Sequence, residues 1–130
     1  MKPFNITLIQ PEGYSHSLAL LEAAQYITAC PDDCGYSTSY TINVVSPHTR
    51  NIVFCAHLMA AADIGALPAD TIIFNSEQLP NRDSWQLIEH YAAALQRFYI
   101  WDYSVANLSH IEHARRISFR SRSIPCSNVD

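Results

Sequence analysis

Carboxylates, imidazoles and carboxamides gather at four places in this chain, and each gathering follows a short apolar run. Gln10, Glu12, Tyr14 and His16 come after Phe4 to Ile9, and His57 comes after Asn51 to Ala56. Asn75, Ser76, Glu77 and Gln78 follow Thr71 to Phe74. Asp102, Tyr103 and Ser104, with Asn107 one turn on, follow Tyr99 to Trp101. A carboxylate or neutral imidazole can take a proton from a hydroxyl, and amides and hydroxyls can orient the group that gives it up. Glu77 and Asp102, then His57, are therefore the candidate catalytic groups. Glu12, Tyr14, His16, Asn75, Gln78, Tyr103, Ser104 and Asn107 are the candidate substrate-binding residues. Glu77 stands first, because a carboxylate directly after an apolar strand is costly to desolvate unless something polar meets it.

Each of these residues also has a structural reading. Asn75, Ser76 and Ser104 are common turn and cap residues. Asp102 can cap a helix opening at Ser104, and His57 can serve an internal hydrogen bond as readily as a ligand. Trp101 and Tyr103 read as core. What lifts the site above its members is the coincidence across four separated segments.

Other chemistries are excluded by composition. The 130 residues contain 3 glycines, so no glycine-rich phosphate loop and no nucleophile elbow can be drawn. A Ser104–His57–Asp102 triad lacks that elbow, and the cap role already accounts for Ser104. Cys30, Cys34, Cys55 and His57 can be written as a zinc set, but C-x3-C beside two isolated cysteines is irregular spacing; neither metal nor cofactor is expected. Up to Ala114 there are 4 basic against 11 acidic residues, which disfavours nucleic acid. Arg115, Arg116, Arg120 and Arg122 then make residues 115–130 a basic, flexible tail. No apolar run is long enough to span a membrane and no leader pattern opens the chain, so a cytoplasmic location is expected.

The elements that must position these groups alternate between short β-branched runs and longer amphipathic stretches over residues 1–114, the pattern of one α/β domain. Strands are expected at Phe4 to Ile9, Tyr40 to Val45, Asn51 to Ala56, Thr71 to Phe74 and Tyr99 to Trp101. Helices are expected from Ser15 or Ser17 to before Pro31, over Leu58 to Ala66, from Asp83 or Ser84 to Phe98, and from Ser104 to Ala114. The spacing therefore predicts a three-layer, Rossmann-like, mostly parallel sheet with helices on both faces. Only Ser46 to Arg50 separates the second and third strands, too few for a parallel crossover between neighbours. Either these two pair antiparallel or one of them is irregular. In a mostly parallel sheet the four polar clusters lie along one carboxyl edge, where α/β ligand sites form.

Three phrases, N-I-V-F-C-A-H-L-M (Asn51 to Met59), I-I-F-N-S-E-Q-L (Ile72 to Leu79) and W-D-Y-S-V-A-N-L (Trp101 to Leu108), together with Q-P-E-G-Y-S-H-S (Gln10 to Ser17), resemble the N-terminal domain of bacterial glycosyltransferase-like proteins of the GT-B arrangement. The likeness covers residues 4 to 110. It implies two Rossmann-like domains facing each other across a cleft, the second holding most nucleotide-sugar contacts and the first the acceptor side. The implied reaction is metal-independent glycosyl transfer from a nucleotide sugar to a hydroxyl acceptor. His16, His57, Asn75, Glu77, Gln78, Asp102, Tyr103 and Asn107 match the group's motif positions, and no catalytic assignment carries over with them. Similar proteins continue into a glycine-containing loop and a second domain, whereas residues 117–130 contain no glycine. The expectation is half of a cleft, either a truncated first domain or a chain that works with a partner, inactive alone and prone to self-association. The competing expectation is a non-catalytic ligand-binding or protein-interaction module that uses the same rim.

Overall fold

A computed structural model describes residues 2–77, 89–102, 104–109 and 111–112, the side chains of 30–32 and 89 excepted. Five strands are described: β1 (Phe4–Leu8), β2 (Thr38–Ile42), β3 (Arg50–Phe54), β4 (Ile72–Asn75) and β5 (Tyr99–Asp102). They form one sheet in the order β2-β1-β3-β4-β5, and every pairing is parallel. Helix α1 (Leu21–Asp33), entered through a 3-10 turn at Ser15–Leu20, joins β1 to β2. A 3-10 turn at Ala56–Leu58 and α2 (Ala61–Gly65) join β3 to β4, and α3 (Glu89–Arg97) precedes β5. Residues 105–109 and 111–112 are again helical.

The chain leaves β1 in one direction across the sheet and leaves β3 in the other. Right-handed crossovers in opposite directions place their helices on opposite faces, which gives the three layers of a Rossmann-like α/β fold. The strands are short and apolar because both faces are covered: Ile6, Leu8, Ile52, Phe54 and Ile73 are all fully buried. Each such side chain contributes roughly 1.5–3 kcal/mol of burial. Phe54 and Phe74, opposite each other in the β3–β4 register, stack at 4.4 Å between ring centroids.

The expected antiparallel pair is not formed, and neither strand is irregular. β2 and β3 lie on either side of β1, both parallel to it. β2 ends at Ile42, before Val45, so residues 43–49 are free to return. A five-residue strand is roughly 17 Å long and seven extended residues reach roughly 25 Å, enough to pass across β1 without a helix. A helix would have satisfied its own backbone; this return, which bends at Asn43 and turns over 46–49, uses two asparagines buried in the sheet. Asn5 Nδ2 donates to the Val44 carbonyl (3.0 Å) and to Asn51 Oδ1 (3.2 Å). Asn51 Nδ2 donates to the Ser46 carbonyl (2.8 Å), and its Oδ1 accepts from the Ser46 N–H (3.0 Å). Ser39 and Thr41 hydroxyls donate to Asn5 Oδ1 and complete the set.

Several boundaries move for local reasons. α1 runs through Pro31 to Asp33 rather than stopping before the proline. In the last turn Pro31 forfeits a single intrahelical bond. Neither Ser15 nor Ser17 caps the first helical turn, whose N-cap is Tyr14 with no side-chain bond. β3 ends at Phe54 because Cys55 takes a left-handed conformation (φ 61°) and turns the chain into Ala56–Leu58. Trp101, expected in the core, is 42% exposed, as its strand, last in the order of the described sheet, pairs on one side only. The expected helix start at Asp83 or Ser84 and the basic tail 115–130 lie outside the described residues.

Candidate functional site at the carboxyl edge of the sheet

Because all five strands are parallel, the loops after β1, β3, β4 and β5 open on the same edge. Three of the four polar clusters are bonded to one another there. His57, just past β3, meets Glu77, just past β4, with Nε2 and Oε1 3.1 Å apart. Asn75, fully buried as the last residue of β4, lies in register with Asp102 of β5 and donates to its Oδ2 at 2.7 Å. The same amide nitrogen donates to the Glu77 carbonyl (3.0 Å), and Asn75 Oδ1 accepts from the Glu77 N–H (3.3 Å). Tyr91 of α3 reaches across to donate its hydroxyl to Asn75 Oδ1. Asn107 Nδ2 bonds the Glu77 carbonyl (2.9 Å) and Asp102 Oδ2 (3.0 Å). The backbone of Glu77 is thus held by two asparagines from two different segments, while its side chain remains 38% exposed.

The two candidate carboxylates are not equivalent. Asp102 accepts from Asn75, from Asn107 and, through Oδ1, from the Ser104 N–H at 2.8 Å. With three donors it ties β4, β5 and the following helix together. Ser104 Oγ accepts from the Asn107 N–H (3.3 Å), the capping bond its sequence position suggested. Glu77 is the carboxylate left with an accessible oxygen beside an imidazole.

The imidazole is mostly enclosed, its side chain 14% exposed. Burial pushes His57 below its ordinary pKa, and the nearby Glu77 charge, a smaller effect, pulls it back up. A neutral His57 facing a carboxylate carries its proton on Nε2 and donates it, leaving the lone pair on Nδ1. Nδ1 is buried without a hydrogen-bond partner among the described residues. The group an incoming hydroxyl can reach is therefore Glu77, with His57 orienting it. Tyr91 packs edge-on to His57 at 5.8 Å, and its phenol is raised by burial first, then by the charges of Glu77 and Asp102. The Cys55 thiol is pushed up to about 11, by burial and then by Glu77, so it stays protonated at neutral pH.

The fourth cluster sits apart. Glu12 is exposed on the loop after β1, and Tyr14 and His16 pair their rings at 5.1 Å on the same stretch. Gln78 and Tyr103 lie outside the described residues. Glu12 lines a cavity of about 630 Å³ between the loops that follow β1 and β3, the point at which the chain reverses direction across the sheet. Ile9, Leu58 and Met59 are among its walls, and the His57–Glu77 pair is not. Sequence reasoning placed Glu12 on the rim but not this cavity, whose mixed lining is assembled from the connections after β1, β2 and β3. It also did not single out Tyr91, since nothing in the helical pattern says that its hydroxyl meets Asn75.

Among the described residues, no group of three or more His, Cys, Asp or Glu side chains is placed to hold a metal ion. No helix among them is long and apolar enough to cross a membrane. Comparison with known proteins finds no matching family model, no similar curated protein and no similar solved structure.

Proposed function

We propose that this domain is the acceptor side of a glycosyltransferase-like protein, in which Glu77 receives the proton of an acceptor hydroxyl. The observation that carries this reading is Glu77, its backbone fixed at the carboxyl edge by Asn75 and Asn107 and its carboxylate 3.1 Å from the neutral His57 imidazole. Fixing the backbone of a base while leaving one carboxylate oxygen accessible is the arrangement general-base catalysis needs. In the transfer, the acceptor oxygen bonds to the anomeric carbon as the nucleoside diphosphate leaves with its bonding electrons, and the hydroxyl proton passes to Glu77. The nucleotide sugar would be held by a second Rossmann-like domain or a partner chain, so this chain alone is inactive. A cytoplasmic location, and self-association through the cleft-facing rim, complete this reading. The sequence phrases of the carboxyl-edge loops support the bacterial glycosyltransferase-like reading by resemblance.

A second reading is favoured by one observation: the cavity is walled by residues other than His57, Glu77 and Asp102. A non-catalytic module that binds a small ligand there needs no base. Glu77→Gln separates the two. Under the first reading it weakens binding of a monosaccharide acceptor such as N-acetylglucosamine, followed by amide chemical shifts at His57, Asn75 and Glu77, about 3- to 10-fold. Stability changes by less than about 0.5 kcal/mol, as expected of an exposed carboxylate. A variant that binds as the parent does, or that loses about 2 kcal/mol or more, refutes the assignment.

A further inference from the structure

The cavity between the loops after β1 and β3 has its own chemistry. Its lining is mixed, with more apolar than polar surface: Ile9, Val45, Leu58, Met59, Leu67 and three prolines contribute hydrocarbon, and Gln10 and Asn43 are the uncharged polar residues. The Asn43 amide on its lining is already spent on the backbone of Gln10. Asn43 Nδ2 donates to the Gln10 carbonyl (2.7 Å) while Asn43 Oδ1 accepts from the Gln10 N–H (2.6 Å). The charged groups on the lining are both acidic, Glu12 and Asp63, and both are exposed. Among the described residues no lysine or arginine lines it. A space of about 630 Å³ lies within the range of small-molecule sites, and its position at the reversal of strand order is where open α/β sheets bind ligands. Asn43, on the lining, sits just past β2 in the left-handed backbone region (φ 58°).

We infer that this cavity binds a compact apolar molecule carrying a cationic amine, with the hydrocarbon against Ile9, Leu58 and Met59 and the ammonium between Glu12 and Asp63. A phosphate- or carboxylate-bearing ligand would bring like charge against two carboxylates with no cation on the lining to offset it. The inference is independent of Glu77 and holds whether or not the domain takes part in glycosyl transfer.

The test uses three probes that share one body: 4-phenylbutylamine, 4-phenylbutanol and 4-phenylbutyrate, each titrated into the full chain and followed by amide chemical shifts. Ligands of this size bind in the millimolar range. The amine is expected to bind about 10-fold tighter than the butyrate, with the alcohol between them, and to shift Gln10, Glu12, Leu58, Met59 and Asp63. In Glu12→Gln/Asp63→Asn, two exposed changes that leave the core untouched, the amine's advantage falls to within about 3-fold. Ala66→Phe, which fills the cavity from α2's end, weakens all three probes together. Butyrate binding as well as the amine, an undiminished preference in the double variant, shifts confined to other surfaces, or no binding by any probe would each overturn the inference.

Discussion

Asn75→Ala is the perturbation that interrogates the site most directly. The side chain is fully buried and serves four partners: Asp102 Oδ2, the Glu77 carbonyl, the Glu77 N–H and the Tyr91 hydroxyl. Losing the charge-assisted bond to Asp102 costs about 1.5–3 kcal/mol, although Asn107 and Ser104 still serve that carboxylate. The Tyr91 hydroxyl, on a residue 4% exposed, is orphaned at a further cost of about 1–3 kcal/mol. The Glu77 backbone groups lie on a partly exposed residue, where water replaces the asparagine at little cost. The total is about 2.5–6 kcal/mol, a large share of the stability of a single domain. A double-mutant cycle with Tyr91→Phe isolates the coupling. Tyr91→Phe alone should cost about 1 kcal/mol; in the Asn75→Ala background, where it removes an unpaired hydroxyl, it should be neutral or stabilising by about 1 kcal/mol. The coupling measured by urea denaturation is then about 1–2 kcal/mol. A coupling below about 0.5 kcal/mol, or an Asn75→Ala loss under about 1 kcal/mol, would show that the network is not what holds Glu77.

Stability should also depend on pH through His57. Its folded pKa lies below the unfolded 6.5, so the unfolded chain binds a proton more readily; stability is fully present above 6.5 and declines as pH falls toward the folded value. Urea titrations at pH values on either side of 6.5 should show this decline in the parent and a shallower one in His57→Gln, and equal slopes would contradict the burial argument. At Asn43, the φ of 58° favours glycine over alanine, while both substitutions lose the paired bonds to Gln10. Asn43→Ala should therefore be less stable than Asn43→Gly by about 1 kcal/mol in thermal or urea unfolding, and the reverse order would refute the strain.

The exposed edge strand explains a further feature of the surface. Tyr99 (59% exposed) and Trp101 (42% exposed) alternate along β5, and Val105 and Leu108 stand exposed on the following helical segment. Residues that a sequence pattern assigns to a core are left outside when their strand lies at the end of a sheet. Arg50 rests over the Tyr99 ring at 5.2 Å, so part of this face is covered by a cation rather than by packing.

The amino-acid order alone determined the α/β class, the number of strands and the location of the polar clusters after them, because apolar β-branched runs and glycine–proline turns are local signals. It also marked Ser104 as a cap and left Asp102 between a capping and a chemical role. Tertiary structure decided the rest. Whether β2 pairs with β3 depended on β1 standing between them, and on two asparagines 46 positions apart satisfying the helix-free return. Which carboxylate stays accessible depended on Asn75 and Asn107 converging on Asp102, contacts fixed by register rather than by spacing. The cavity needed the connections after β1, β2 and β3 to converge beside α2. Local sequence sets what a segment prefers to be; the partners of a buried polar atom are chosen by the fold that brings distant segments within hydrogen-bond reach.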